Sequence, residues 1–129
     1  MTTDLTMLVY ALILAFVQLC LYATPGLIQL GIPYAAGPRD EPREMTGVVG
    51  RLRRAYFNHI ETLPIFAAAV IIAHIIGKAD HLTALYAQVY FWSRVAYVPA
   101  YASGIPYLRS AIWIVAACAI VGILYCLLF

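Results

Sequence analysis

Four long apolar segments constrain the fold of this chain more than any other feature. Each is long enough to cross a bilayer as an α-helix, which takes about 20 residues. Apolar residues make up 64% of the 129 residues and charged residues 11%, whereas a soluble domain averages about 45–50% and about 25%. This composition excludes a disordered chain and argues against a water-soluble one. It predicts an all-α membrane protein, a four-transmembrane-helix bundle.

The polar connections divide the chain into spans within one domain, residues 1–129. The first span follows Asp4, a predicted N-cap, and is expected to bend at Pro25. The one long connection, residues 35–50, carries two prolines, two arginines and three carboxylates, so we predict a loop outside the hydrocarbon. We predict spans at about 5–32, 51–77, 82–101 and 108–129.

Basic residues are divided unequally between the two sides of the predicted membrane. Lys78 stands alone on one side, and six arginines belong to the side of the first and third connections. Those six are Arg39, Arg43, Arg51, Arg53, Arg54 and Arg109. The positive-inside rule places their side in the cytoplasm. We therefore expect a multi-pass membrane protein with both termini outside the cytoplasm.

Net charge and cysteine spacing exclude two classes of partner. A net charge of +2 is too small to indicate a nucleic-acid surface. Cys20, Cys118 and Cys126 all lie inside apolar runs, without metal-ligand spacing to a histidine. We expect no metal and no nucleic acid, and we interpret the cysteines as buried small hydrophobic residues.

Polar residues interrupt the second span. Arg54, Asn58 and Glu61 are spaced i, i+4 and i+7, so they share one helical face. Ionisable groups inside a membrane are costly and usually face a bundle interior or a wet cavity. Pro64 follows one turn later, frees the carbonyl oxygen of Ile60 and favours a bend beside this face.

A second polar face lies in the third span. Arg94, Tyr97 and Tyr101 are spaced i, i+3 and i+7. Arg94 lies roughly 12 Å and Glu61 roughly 15 Å from the cytoplasmic ends of their spans, at about 1.5 Å per residue. Opposite charges at matched depth predict a Glu61–Arg94 ion pair.

Two interpretations of these polar faces remain open. An ion pair and tyrosine hydroxyls can simply hold helices together. However, Arg54, Asn58 and the Arg109-Ser110 pair add donors on the same side, which favours a pocket for an anionic, amide-rich ligand. His59 points about 100° away from Asn58, which favours a subunit contact. His74 is expected to be hydrogen-bonded within the bundle.

The sequence resembles the MAPEG superfamily, membrane-associated proteins in eicosanoid and glutathione metabolism. Arg54-Ala55-x-x-Asn58-x-x-Glu61 with Pro64-x-Phe66 resembles its central motif. Arg94-x-x-Tyr97-x-x-x-Tyr101 and Leu108-Arg109-Ser110 resemble its third and fourth helices. The resemblance covers essentially the whole chain and suggests a bacterial-type member, and hence a location in a bacterial inner membrane. It implies a left-handed four-helix bundle that assembles as a homotrimer.

The resemblance also implies a glutathione site between neighbouring subunits, near the cytoplasmic side. Glutathione would be a co-substrate, and Arg54, Asn58 and Glu61 would hold its γ-glutamyl end. The remaining pocket residues would lie beside them. The implied binding residues are Arg54, Asn58, Glu61, Arg94, Tyr97 and Tyr101.

The implied catalytic residues are Arg109, which matches an arginine near the glutathione sulfur, and the adjacent Ser110. A thiol pKa of about 8.5 falls beside a cation, and the thiolate would attack a lipophilic electrophile arriving from the bilayer. The resemblance thus predicts a microsomal-type glutathione-dependent transferase or peroxidase. The alternative is a non-catalytic membrane protein that binds a lipid or another amphiphile in the same intersubunit groove. A small transporter is disfavoured, because the outer halves of the spans are apolar.

Overall fold

The computed structural model describes residues 1–129 and contains only helices and connecting segments. Four long helices form a bundle in which α4 packs most extensively on α5, and α1 on α3. The predicted all-α class is confirmed. The helices are α1 (Thr3–Leu30), α2 (Ile32–Ala36), α3 (Gly47–Ile75), α4 (His81–Ser103) and α5 (Leu108–Leu128).

The helix ends differ from the predicted ends for identifiable reasons. Thr2 occupies the N-cap position of α1 without a capping side-chain hydrogen bond, and Asp4 lies in the first turn, so the prediction that Asp4 is the N-cap is wrong. The helix continues through Pro25 and ends at Gly31, whose φ of 94° favours glycine. At the other side of the loop, α3 begins at Gly47 rather than near residue 51. The long connection is therefore shorter than predicted.

Three helices are long and apolar enough to cross a membrane: α1, α3 and α5. Helix α4 is 23 residues long, but its polar aromatic residues, Gln88 and Arg94 lower its mean hydropathy. Large apolar side chains cover the outside of the bundle, as with Phe16 at 67% and Val121 at 64% exposure. Such a surface is suited to lipid, and the chain is an integral membrane protein.

Small residues allow the helices to approach closely at the centre of the bundle. Ala11 and Ala87 are fully buried in the core, an arrangement typical of membrane helix contacts. In the same core the rings of Phe66 and Tyr90 stack with their centres 4.0 Å apart. The positions of the cysteines contradict the prediction of burial. Each lies on a helix face turned partly or wholly outward: Cys20, Cys118 and Cys126.

The bundle has two chemically different ends. At one end, called here the arginine-rich end, lie Arg39, Arg43, Arg51, Arg53, Arg54 and Arg109. Arg51 ties α3 to the end of α4 there, because its Nε donates to the carbonyl oxygen of Ala102 at 3.0 Å. At the opposite end, Lys78 donates to the carbonyl oxygen of Leu127 at 3.0 Å. The predicted separation of the six arginines from Lys78 is therefore present in the folded chain.

Candidate functional site

Arg94 is the centre of the polar cluster near the arginine-rich end. Its side chain is only 1% exposed, and Nη1 donates to Asn58 Oδ1 at 3.0 Å. The guanidinium carbon lies 4.2 Å from the centre of the Tyr97 ring, a cation–π contact. Nε and Nη2 are buried without a hydrogen-bond partner. Since burying unpaired donors of a cation is costly, Arg94 is poorly satisfied within the protomer.

Two tyrosines extend the cluster from Arg94 toward the membrane surface. The rings of Tyr97 and Tyr101 meet edge to face at 5.7 Å. Arg54 Nε donates to the Tyr101 hydroxyl at 3.1 Å. The Arg109 guanidinium lies 4.8 Å from the centre of the same ring. Helices α3, α4 and α5 thus bring their polar groups together around Tyr101.

Glu61 does not take the predicted position. It is exposed on the surface of the protomer and forms no salt bridge with Arg94. The reason is the orientation of α3, which turns Asn58 toward α4 and Glu61 outward, so that the amide oxygen accepts the Arg94 hydrogen bond. The prediction of a Glu61–Arg94 ion pair is therefore wrong for the protomer. Glu61 remains within electrostatic reach of Arg94.

Arg109 and Ser110 lie in the first turn of α5, where both are exposed. They line a cleft of about 420 Å³ together with Arg51, Tyr101 and Tyr107. Helix α5 has no side-chain N-cap, so donors of its first turn lack a side-chain partner. The cleft combines two arginines, a hydroxyl and a helix N-terminus, which is a favourable surrounding for a developing negative charge.

Sequence reasoning missed Arg51 and misplaced His59. Arg51 shapes the cleft through its bond to α4, and its only signal in the sequence is the cluster Arg51-Leu52-Arg53-Arg54. His59 is fully buried, and its Nε2 lies 3.0 Å from the carbonyl oxygen of Ala11. The expected subunit contact for His59 is wrong, because the ring holds α3 against α1. The expectation for His74 is confirmed, since its Nε2 lies 2.9 Å from Asp4 Oδ1.

The fold and the site together define an integral membrane protein with a cationic, tyrosine-lined pocket near one membrane surface. The model of the MAPEG family matches residues 6–129. The chain therefore belongs to the MAPEG family, and the resemblance inferred from the sequence is confirmed. Members of this family are membrane-bound and generally use glutathione as a co-substrate. No curated protein matches the chain significantly.

Proposed function

We propose that this protein is a glutathione-dependent transferase or peroxidase that acts on lipophilic electrophiles. The observation that carries the proposal is the convergence of the exposed Arg54 and Arg109 on Tyr101, next to the buried guanidinium of Arg94. No carboxylate of the chain forms a salt bridge with Arg94 or with the neighbouring Arg54 and Arg109. A tripeptide with two carboxylates would complement these cations.

The binding roles follow from chemistry and from position in the cluster. Arg54 and Arg94 suit carboxylates, since guanidinium groups bind them in a bidentate manner. Asn58 supplies an amide that also orients Arg94. Tyr97 and Tyr101 would pack against the peptide and donate hydroxyl hydrogen bonds.

Glu61 supports a site that is shared between subunits. It is exposed although it lies in the middle of α3, a helix suited to span the membrane. A carboxylate at that depth needs a partner other than lipid. In a homotrimer the neighbouring subunit would cover Glu61, and the ammonium group of glutathione would pair with it. The single domain then provides one wall of each intersubunit site.

Arg109 is the proposed catalytic residue, with Ser110 beside it. The guanidinium and the first turn of α5 would stabilise the glutathione thiolate by lowering the thiol pKa from about 8.5. The thiol proton leaves to water through the exposed cleft. In a transfer reaction the sulfur attacks an electrophilic carbon, forming a C–S bond as the leaving group departs or a double bond opens. In a peroxidase reaction it attacks a hydroperoxide oxygen, and the O–O bond breaks to release the alcohol and leave glutathione sulfenic acid. A second glutathione then displaces water from the sulfenic acid to form the disulfide.

An apolar groove on the outside of the bundle favours a lipophilic second ligand. It lies between α4 and α5, has a volume of about 310 Å³ and is lined by Leu85, Val89, Ile114 and other apolar residues. This groove opens toward the surrounding bilayer and could deliver the second substrate laterally. The same groove supports the alternative function, a non-catalytic protein that binds a lipid or another amphiphile.

The proposal also includes the orientation of the protein in the membrane and its bacterial source. The positive-inside rule places the arginine-rich end in the cytoplasm, where free glutathione would reach the cleft directly. Both chain ends, Met1 and Phe129, would then lie outside the cytoplasm. We propose a bacterial-type member in an inner membrane.

A glutathione titration of the detergent-solubilised protein tests the proposal. At about 100 times its dissociation constant, glutathione should raise the free energy of unfolding by roughly 2.7 kcal/mol. The ultraviolet absorbance of the bound thiolate reports activation separately. Arg109→Ala should abolish the thiolate signal, whereas Lys78→Ala at the opposite end should retain it.

The outcomes separate the two functions. Absence of both the stabilisation and the thiolate signal from the unsubstituted protein would overturn the enzymatic proposal. Co-purified lipid, together with indifference to glutathione, would support the non-catalytic alternative.

A further inference from the structure

A second cationic pocket lies at the arginine-rich end, outside the cluster around Arg94. The end of α1, the short helix α2, the connection over 37–46 and the first turns of α3 enclose about 440 Å³. This is within the usual range of small-molecule pockets, roughly 300–1,000 Å³. We call it the loop pocket. Four arginines line it together with Leu30, Tyr34 and one carboxylate, Glu44; the arginines are Arg39, Arg43, Arg53 and Arg54.

The arginines of the loop pocket are oriented without carboxylate partners. Arg39 Nε donates to the carbonyl oxygen of Ala35 at 2.9 Å, and Arg43 Nη1 donates to that of Leu30 at 3.1 Å. These bonds fix each guanidinium and leave its other N–H groups available. The only salt bridge in the chain lies at the opposite end of the bundle. Glu44 forms no salt bridge with any of the four arginines, so the lining of the loop pocket keeps a net positive charge.

The connection over 37–46 is folded back as part of a built site. Thr46 N donates to Gln29 Oε1 at 2.7 Å, and Arg43 N donates to the Tyr34 hydroxyl at 3.1 Å. The Arg43 guanidinium also lies 4.4 Å from the centre of the Tyr34 ring. Met45 packs directly on Gly26, where any Cβ would collide with its side chain. These contacts order the loop before any ligand arrives, which lowers the entropic cost of binding.

The position of the loop pocket favours a lipid over a soluble anion. It lies where α1 and α3, two helices suited to span the membrane, reach the membrane surface. Arg53 stacks at 4.6 Å on Phe57, an exposed aromatic ring on the outside of α3. Leu30 adds an apolar wall to the pocket. Basic pockets between membrane helices on the cytoplasmic side bind acidic lipid head groups.

We propose that the loop pocket binds the phosphodiester head group of an anionic phospholipid. Arg39, Arg43 and Arg53 contact the phosphate oxygens, and the acyl chains continue along the apolar surface beside Phe57. The proposal does not depend on glutathione binding, because Arg54 is the only residue that the loop pocket shares with the proposed glutathione site.

Thermal unfolding of the full chain in dodecylmaltoside micelles tests this site. Dioleoyl phosphatidylglycerol should raise the unfolding midpoint, whereas dioleoyl phosphatidylcholine at the same mole fraction should not. Arg39→Gln and Arg53→Gln should each raise the half-maximal phosphatidylglycerol concentration about five-fold, as expected for loss of one basic contact at a lipid surface. Arg53→Lys should retain most of the effect, because it keeps the charge.

Controls separate this site from general charge effects and from glutathione binding. Lys78→Gln removes one charge at the opposite end and should leave the phosphatidylglycerol effect unchanged. Arg39→Gln and Arg53→Gln should keep the stabilisation by glutathione, so the failure of either proposal is visible without the other. In the unsubstituted protein, added NaCl should weaken the phosphatidylglycerol effect, a measurement that needs no variant.

Three results would overturn the proposal. The first is equal stabilisation by the two lipids, and the second is an equal loss in Lys78→Gln and Arg39→Gln. The third is that inorganic phosphate alone produces the midpoint shift and prevents any further shift by phosphatidylglycerol. That result would identify a site for a soluble anion.

Discussion

The two ends of the bundle differ in whether their charged side chains form a salt bridge. At the end opposite the arginines, Asp4 Oδ1 accepts hydrogen bonds from Thr2, Leu5 and His74 at 2.6–3.0 Å, and Asp4 Oδ2 is buried without a partner. Lys78 there bonds to a helix carbonyl oxygen, as Arg39, Arg43 and Arg51 do at the other end. At the arginine-rich end, six arginines form no salt bridge at all.

This difference separates structural charges from charges available to ligands. A polar group that finds its partners within the fold contributes to stability, and its removal should cost stability whatever is bound. A buried cation with unpaired donors is costly in the free protein, and its benefit should be realised only with a ligand present. The contrast can therefore be tested by comparing each variant with and without glutathione.

The largest effect is expected at Arg94. Arg94→Leu should abolish the stabilisation by glutathione, roughly 2.7 kcal/mol at 100 times the dissociation constant. Without glutathione, the variant should be as stable as the original or more so, since replacing a poorly paired buried ion by an apolar residue is often neutral or stabilising. Unfolding in mixed micelles of increasing sodium dodecyl sulfate content measures both.

Asp4→Asn at the opposite end serves as the matched control for Arg94→Leu, and it should keep the full response to glutathione. A large loss of stability in ligand-free Arg94→Leu would contradict the comparison, because Arg94 would then be a structural residue.

A smaller effect, independent of glutathione, is expected at the opposite end. Asp4→Ala removes a nearly buried carboxylate that joins α1 to α3 through His74. Hydrogen bonds to charged groups contribute about 1.5–3 kcal/mol. Because His74 is partly exposed, we expect the loss of unfolding free energy to lie near the lower value. The same micelle titration measures this change. If the bond to His74 is responsible, Asp4→Ala should cost less stability in a His74→Gln background than in the original protein. Loss of the glutathione response in Asp4→Ala would show that the two ends are coupled.

The sequence predicted the long helices well because their signals are local. Apolar runs identify α1, α3 and α5, and helical spacing correctly placed Arg94, Tyr97 and Tyr101 on one face that joins Arg54. The helix ends were less predictable. Gly31 ends α1 through its positive φ, whereas neither the short α2 nor the early start of α3 has a strong signal.

Pairing between helices was the part that spacing could not determine. Depth along the spans made Glu61 as good a partner for Arg94 as Asn58, because the two lie one turn apart on α3. Rotation of α3 about its own axis decides between them, and it depends on packing against α1 and α4. The same rotation buried His59 against Ala11, which no feature of the sequence around His59 indicates.

A third prediction concerns the start of α4. Asp80 accepts hydrogen bonds from the backbone N–H groups of Leu82 and Thr83, and Thr83 Oγ1 accepts from the Asp80 N–H. Asp80→Ala removes the first half of this capping box and should cost about 1 kcal/mol. Asp80→Asn should restore most of it, because asparagine is also a good N-cap. A cost in Asp80→Asn equal to that in Asp80→Ala would mean that the charge, rather than the cap, is the stabilising feature.

The smallest effect is expected at Lys78. Its Nζ donates to the carbonyl oxygen of Leu127, in the last turn of α5, where a cation interacts favourably with the helix dipole. Lys78→Gln should cost roughly 0.5 kcal/mol at low salt, within the range for such contacts on exposed surfaces. The cost should fall further in high salt because exposed charges are screened. An equal cost at low and high salt would indicate that Lys78 acts through packing. A different residue would then be needed as the charge control for the arginine-rich end.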